Sequence, residues 1–267
     1  MSSKQINYES VAQIYDLYVT VDYDVPFFLQ ETVNVSGSVL ELMAGTGRLS
    51  LPLIKAGVQL TCVDRSKGML DVLTRKLKES GLSAKVVCAD ICELNLNKSF
   101  QLAILPFQAF MEIVGEERQR QALLAVYACL STGGRFICTM HNPTVRRAQV
   151  DGTLRIAGRF PMNDGVLVVS GFEQGGHPVV SRLQFFEFFG LNGQLRSKQM
   201  LPMEFELIER ERFESMAREV GFNVLALFGS YDHSPFDAGR SPVMIWVLYK
   251  GDAPPFVTAD AQQAVRR

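Results

Sequence analysis

Ser38-Val39-Leu40-Glu41-Leu42-Met43-Ala44-Gly45-Thr46-Gly47-Arg48 reads as a short buried strand running into a glycine turn, and the architecture becomes legible from it outward. Gly45 and Gly47 permit a tight turn and let the backbone approach a ligand with no Cβ in the way. A helix following from Arg48 offers free N–H groups to an anionic group on that ligand. Seventeen residues after Gly47, Asp64 closes the apolar run Leu60-Thr61-Cys62-Val63. An acid at a strand end can accept two hydrogen bonds from a ribose diol. A lone Gly-x-Gly marks only a turn, but strand, Gly-x-Gly, helix, strand and terminal acid in that order point to a nucleotide or nucleoside. A dinucleotide site asks for a third glycine where Ser50 stands, which argues against NAD and FAD.

From residue 38 to residue 141, short apolar runs alternate with helical patterns, as in βαβ units around a parallel sheet. Strands are predicted at Ser38–Leu42, Leu60–Asp64, Lys85–Ala89, Phe100–Leu105 and Arg135–Met140. Helices are predicted over Lys67–Glu79, with Ser66 as N-cap, and over Glu116–Leu130. Between Asp151 and Ile208 the text turns strand-like, punctuated by Asn163-Asp164-Gly165, Gly175-Gly176 and Asn192-Gly193. An antiparallel meander of about four strands is expected there. In its last strand Leu201, Met203, Phe205 and Leu207 alternate with Pro202, Glu204 and Glu206, so one face alone should be buried. A helix ending at Gly221 and strands at Asn223–Gly229 and Val243–Lys250 return to the first pattern. The expected fold is therefore α/β, a doubly wound, mostly parallel seven-stranded sheet with an inserted antiparallel β-meander. Its divisions would be a helical lid over 1–35, a cofactor-binding domain over 36–150 and 209–250, an inserted cap over 151–208, and a flexible tail over 251–267.

The chain has 267 residues, 47% of them hydrophobic, enough for one large domain with an insertion. With 27 basic and 28 acidic residues there is no excess positive charge to neutralise a phosphate backbone, so nucleic acid is not an expected partner. Neither a signal peptide nor a membrane span is apparent, and a cytoplasmic protein is expected. The five cysteines contain no Cys-x-x-Cys pair and read as reduced core residues; no ligand cluster predicts a metal.

These residues resemble a known family, the class I S-adenosylmethionine-dependent methyltransferases, and most of all its sugar-amine and glycine-type N-methyltransferases. Glu41–Arg48 is similar to the family's first motif, Asp64–Leu70 to its acidic loop, Cys88-Ala89-Asp90-Ile91 to the motif whose acid meets the adenine amino group, and Leu130–Phe136 to the turn before the fifth strand. The resemblance implies a Rossmann-like methyltransferase fold, with S-adenosylmethionine as cofactor and S-adenosylhomocysteine as product. It implies that Glu41, Met43, Ala44, Gly45 and Gly47 shape the methionine pocket, with Met43 standing where the family often has glycine. Asp64 and Arg65 would then serve the ribose, while Met69, Asp90 and Ile91 frame the adenine. Pro106 and Gln108 would border the transferred methyl, and Tyr15 and Tyr18 would belong to a helix closing over the cofactor.

Ligands of an open parallel sheet lie beyond the carboxyl ends of its strands. Pro106–Glu112, His141-Asn142-Pro143 and Tyr231-Asp232-His233 should meet on that rim. Methyl transfer needs alignment and, for a protonated acceptor, removal of a proton, so His141 and His233 are catalytic candidates with Gln108 as a polar contact. Glu112 is a third candidate for the proton, although it reads more simply as a solvated acid at a helix start. His141 and His233 also have plain structural uses, capping a strand and bracing a turn. The aromatic residues of the insertion, among them Phe172, Phe185, Phe186 and Phe205, would roof an apolar pocket or form a homodimer interface. The expected activity is methyl transfer to a nitrogen or oxygen of a small molecule. The alternatives are a catalytically silent S-adenosylmethionine-binding protein that recognises a partner through the aromatic sheet, and an NAD-dependent oxidoreductase.

Overall fold

Val39-Leu40-Glu41-Leu42 is buried at every position, which is the environment of a strand inside a parallel sheet covered on both faces. In the computed structural model, which describes residues 6–251, this run is β1 (Val39–Leu42) at the centre of a seven-stranded sheet. Around it lie β2 (Leu60–Asp64), β3 (Lys85–Cys88), β4 (Phe100–Leu105), β5 (Leu130–His141), β10 (Phe222–Phe228) and β11 (Val243–Lys250), in the order β10-β11-β5-β4-β1-β2-β3. Only β11 runs antiparallel to its neighbours. The chain leaves β1 in one direction through β2 and β3, then returns to pair β4 on its other side, creating a crevice at the strand ends.

Side-chain alternation divides the core between the two faces of this sheet. On one face Leu40, Leu42, Phe136 and Trp246 pack with Leu123 of α5 (Glu116–Cys129) and Phe213 of α7 (Arg210–Val220). On the other, Val39, Ile104 and Ile245 pack with Phe27 and Phe28 of α2 (Val25–Thr32), Leu53 of α3 (Ser50–Lys55) and Leu73 of α4 (Lys67–Glu79). Phe27 and Phe28 thus seal a sheet face. Helix α4 begins where its sequence says, Ser66 Oγ accepting from the Met69 N–H at 3.2 Å.

The insertion is a separate antiparallel sheet of β6 (Arg155–Met162), β7 (Gly165–Gly175), β8 (Val179–Gly190) and β9 (Leu195–Glu206), turning at the three expected hairpins. Its inner face does not stand alone. Leu167, Val169, Phe186 and Leu201 pack with Ile6, Val11 and Tyr18 from the N-terminal segment, so roof and lid share one small core. Tyr18, in α1 (Tyr15–Tyr18), lies 5.1 Å from Phe186 between ring centroids.

Two expectations of burial are corrected. Glu206 is buried instead of facing water, because Arg212 Nη1 pairs with it at 2.6 Å and the Gly115 N–H and Gln119 Nε2 donate to it. Cys88 is exposed on the edge strand β3, while Cys62, Cys129 and Cys138 are core residues. Residues 252–267 of the expected tail lie outside the described residues.

Gly47 shows why glycine is needed in the turn after β1. Its φ is +84°, and a Cβ there would lie 2.3 Å from Leu73 Cδ1 and 2.8 Å from Leu51 Cδ1. Gly47→Ala is therefore expected to lower stability by about 2–4 kcal/mol, from left-handed strain plus overpacking. Chemical denaturation of the two proteins measures this, with the midpoint falling and the slope unchanged.

Candidate active site

Four loops at the carboxyl ends of β1 to β4 line a narrow cavity, and one carboxylate ties two of them together. Asp64 Oδ2 accepts from the Gly45 N–H at 2.8 Å and Asp64 Oδ1 from the Ser66 N–H at 2.8 Å. Burial raises the Asp64 carboxyl above its ordinary range, while these backbone donors oppose the rise. Gly45 has φ +57°, and a Cβ there would meet nothing within 4 Å, so the turn faces open space. Met43, at φ +54°, adopts the left-handed region without being glycine, which stores backbone strain at the mouth of the site.

The far end of the cavity carries Met69, Ile91 and Asp90. Asp90 caps a turn of 3₁₀ helix through the Cys92 N–H at 2.9 Å and pairs with Arg118 at 3.0 Å. Burial acts to raise its pKa, but the Cys92 donor and Arg118 together hold it below the ordinary carboxylate value. Tyr15, Met43, Gly45, Asp64, Arg65 and Pro106 complete the set of expected cofactor residues that line this cavity.

Other expected residues support it from behind. Glu41 is buried among Ser50 Oγ, which donates to it at 2.6 Å, and Cys62, so it braces the turn from beneath. Ala44 packs into the core and donates its N–H to Val63 O at 3.0 Å. Gly47 meets Leu73 and Leu51, as described above. Tyr18 and Gln108 line a second, larger cavity of about 880 Å³.

This larger cavity opens between the rim and the inserted sheet, which contributes Phe172, Glu173, Arg182, Gln184 and Phe205 to its lining. Tyr8, Tyr15, Phe107 and Glu112 line both cavities and so stand between them. The expected apolar pocket is corrected here: Arg146, Glu173, Arg182 and His141 make part of its wall polar and charged.

The proton-handling candidates separate clearly. Glu112 is not a fully solvated acid; it is half-buried, and its carboxyl accepts from Tyr8 Oη at 2.7 Å. Burial pushes it up to about 7, with the Tyr8 bond pulling down and Asp64 pushing up. His141 lines the larger cavity, but burial and then the Arg146 and Arg182 cations lower it to about 4. His233 is withdrawn from the rim: its Nε2 meets Glu31 Oε1 at 2.9 Å, and its ring lies 4.6 Å from Phe27 and 5.0 Å from Phe228. Gln108 adopts φ +58°, takes its place through an N–H to Thr139 Oγ1 at 3.1 Å, and donates Nε2 to Tyr231 Oη at 3.1 Å.

Acids of the N-terminal segment clamp it to these loops. Asp16 accepts from Thr46 Oγ1 at 2.6 Å and pairs with Lys76 at 2.9 Å. Glu9 accepts from Ser66 Oγ and the Gly68 N–H, each at 2.8 Å. Buried Asp24 forms a two-point pair with Arg48 at 2.5 and 2.7 Å. Sequence reasoning missed Tyr8 and these clamps, and Phe107 entered only as part of the rim segment Pro106–Glu112. Tyr8 was visible only as one of several aromatics, and pairing at such sequence separations leaves no local signal.

Residues 39–134 match a family model described as methyltransferase domain. A glycine/sarcosine N-methyltransferase of Parasynechococcus marenigrum (strain WH8102) is 26% identical over 73% of this chain and 66% of its own length, so the chain spans slightly under two thirds of that relative. An S-adenosylmethionine-dependent methyltransferase from Clostridium acetobutylicum ATCC 824 superposes with a TM-score of 0.76 at 22% identity, over 92% of this chain and 99% of that one. A sugar N-methyltransferase from Streptoalloteichus sp ATCC 53650 has a TM-score of 0.73 at 17% identity, over 90% and 93%. At these identities the structures establish a common fold. Among the described residues, no helix is long and apolar enough to cross a membrane.

The buried acids predict a pH dependence of stability. Burial pushes Glu41 up to about 8 despite the Ser50 and Arg48 contributions that lower it. Between the ordinary carboxylate range and pH 8 the native state keeps a proton that the unfolded chain releases, so stability falls as pH rises through this window. Thermal melts of wild type should show that fall, and Glu41→Gln should flatten it.

Proposed function

The chain carries an S-adenosylmethionine-dependent methyltransferase domain, and on that premise we propose that it transfers the methyl group to a nitrogen or oxygen of a small molecule held beneath the inserted sheet, nitrogen being the first choice. One observation carries this reading: the narrow cavity of Asp64 and Asp90 adjoins the larger one, and Tyr8, Tyr15, Phe107 and Glu112 line both. A cofactor in the first and an acceptor in the second would meet at Phe107 and Glu112.

The residues of the narrow cavity suit the cofactor. Asp64 keeps lone pairs beyond its two backbone bonds for a ribose diol. Met69 and Ile91 offer apolar flanks to a purine, and Asp90 is held ionised as an acceptor for its amino group. Gly45 leaves room where any side chain would intrude. S-adenosylmethionine supplies an electrophilic methyl on a sulfonium, so the protein has mainly to align the acceptor, exclude water and receive a proton.

For that proton, Glu112 is better matched than His141. A base works best with a pKa near the working pH, and a group at about 7 accepts a proton more readily than one at about 4. Tyr8 orients its carboxylate. Gln108, whose Nε2 donates to Tyr231 Oη, supplies a polar contact at the larger cavity, and the clamped N-terminal segment, with Tyr15 and Tyr18, closes over it. The inserted sheet acts in this reading as a roof in place of a dimer face, because Phe172, Gln184 and Phe205 face the cavity.

Calorimetric titration with S-adenosylmethionine tests the first half: wild type should bind, and Asp64→Ala should bind at least about tenfold more weakly, the loss of hydrogen bonds to an ionised group. Absence of binding by wild type would sink the proposal, and binding without turnover on a panel of amines and alcohols would favour the silent module. The second half is read from kinetics. Activity should rise with pH through about 7 as Glu112 loses its proton. Glu112→Gln should lower kcat about 100-fold and remove that limb of the profile.

A further inference from the structure

The inserted sheet brings to the larger cavity a charge cluster that the methyl-transfer reading does not use. Glu173 of β7 stands opposite Arg182 of β8 in register, and its Oε1 accepts from Arg182 Nε at 2.6 Å. Its Oε2 accepts from Arg146 Nη2, from α6 (Pro143–Arg147), which follows β5. Both guanidinium groups also lie over the Phe205 ring of β9, at 5.5 and 5.9 Å from its centroid.

Two cations share one carboxylate here, so the cluster itself keeps one positive charge in excess; Glu112, on the same cavity wall and within the field of Arg182, is held up to about 7 and adds a negative charge only above that pH. Arg146 and Glu173 have only 9% and 12% of their side-chain surface exposed, while Arg182, at 39%, reaches toward the open side of the cavity. The nearby Arg155 is neutralised by Asp151, which accepts from it at 2.8 and 2.5 Å. Arg146 Nε and Nη1 and Arg182 Nη1 donate to no protein acceptor among the described residues. All of these residues line the same cavity, with Phe172 and Phe205 beside them. A surplus charge with free donors in a largely enclosed wall is costly unless an anion completes it. His141 registers the same field, since burial and then these two arginines keep it neutral.

We infer that Arg146, Glu173 and Arg182 form an anion-recognition site for the methyl acceptor, and that the acceptor carries a single carboxylate next to a flat apolar group. The carboxylate would take the donors that Glu173 leaves free, with the fork geometry that guanidinium groups favour. A monoanion matches the cluster's own excess of one charge, whereas a phosphate dianion exceeds it. Phe172 and Phe205 supply the apolar contact. The inference rests on the proposed reading of the larger cavity as the acceptor site.

Its test is calorimetry on the protein saturated with S-adenosylhomocysteine, using benzoate, benzamide and phenyl phosphate as probes. Benzoate should bind at least tenfold more tightly than benzamide and more tightly than phenyl phosphate. Arg182→Gln should remove the preference for benzoate, and Arg182→Lys should restore part of it. Glu173→Gln, which deletes the internal counter-ion, should tighten benzoate binding. Equal binding of benzoate and benzamide by wild type overturns the anion site, and tighter binding of phenyl phosphate overturns its assignment to a carboxylate. If S-adenosylhomocysteine itself fails to bind, the proposed function falls and this inference with it; if it binds and benzoate does not, only the inference falls.

Discussion

The arrangement depends on Asp64, which holds two loops at once. One carboxylate oxygen restrains the Gly45 turn after β1 and the other restrains the start of α4 after β2. A charged-group hydrogen bond in a nearly dry setting is stronger than its surface counterpart, and leaving either N–H unpaired there is costly. The parallel sheet determines where these loops begin, and Asp64 determines how far apart they stand. The N-terminal segment then closes on this pair of loops, Asp16 reaching Thr46 and Glu9 reaching Ser66 and Gly68.

The same economy governs the second sheet. Its inner aromatic residues are divided between two tasks, Phe186 packing on Tyr18 to join roof and lid and Phe172 and Phe205 facing the cavity. An inserted sheet anchored to the N-terminal segment cannot shift without disturbing that segment's clamps on the loops after β1 and β2, so the two cavities are mechanically linked. Buried polar groups are retained where the two sheets meet: Glu206 gathers Arg212, Gln119 and the Gly115 N–H, tying β9 to the start of α5. Such a network specifies orientation only because its members are satisfied together.

Histidine illustrates the limit of residue type as a guide to chemistry. His141 and His233 both fall after strands that end at the rim, which made them equivalent in the sequence. Tertiary packing separates them, enclosing one among arginines and stacking the other between Phe27 and Phe228 against Glu31. Glu112 moved the other way. Its neighbours in sequence suggested an exposed helix start, yet Tyr8, over a hundred positions away in the chain, donates to its carboxyl, and burial raises that carboxyl to about 7 against the pull of this bond.

What the amino-acid order determined alone was everything with a local physical cause. Alternation and buried apolar runs specified the strands, Ser66 the start of α4, Gly45 and Gly47 the turn, and Asp64 and Asp90 the carboxylates that line the narrow cavity, because each follows from backbone conformation and spacing within a few residues. The three glycine-containing hairpins likewise announced the meander. Only the tertiary structure decided which side chains share a wall: that Tyr8 meets Glu112, that Glu41 braces Ser50 from below, that Glu206 is buried, and that Arg146 and Arg182 converge on Glu173. Those pairings join residues far apart in the chain. Their energies come from desolvation and charge, which depend on the whole enclosure and leave no periodic trace in sequence.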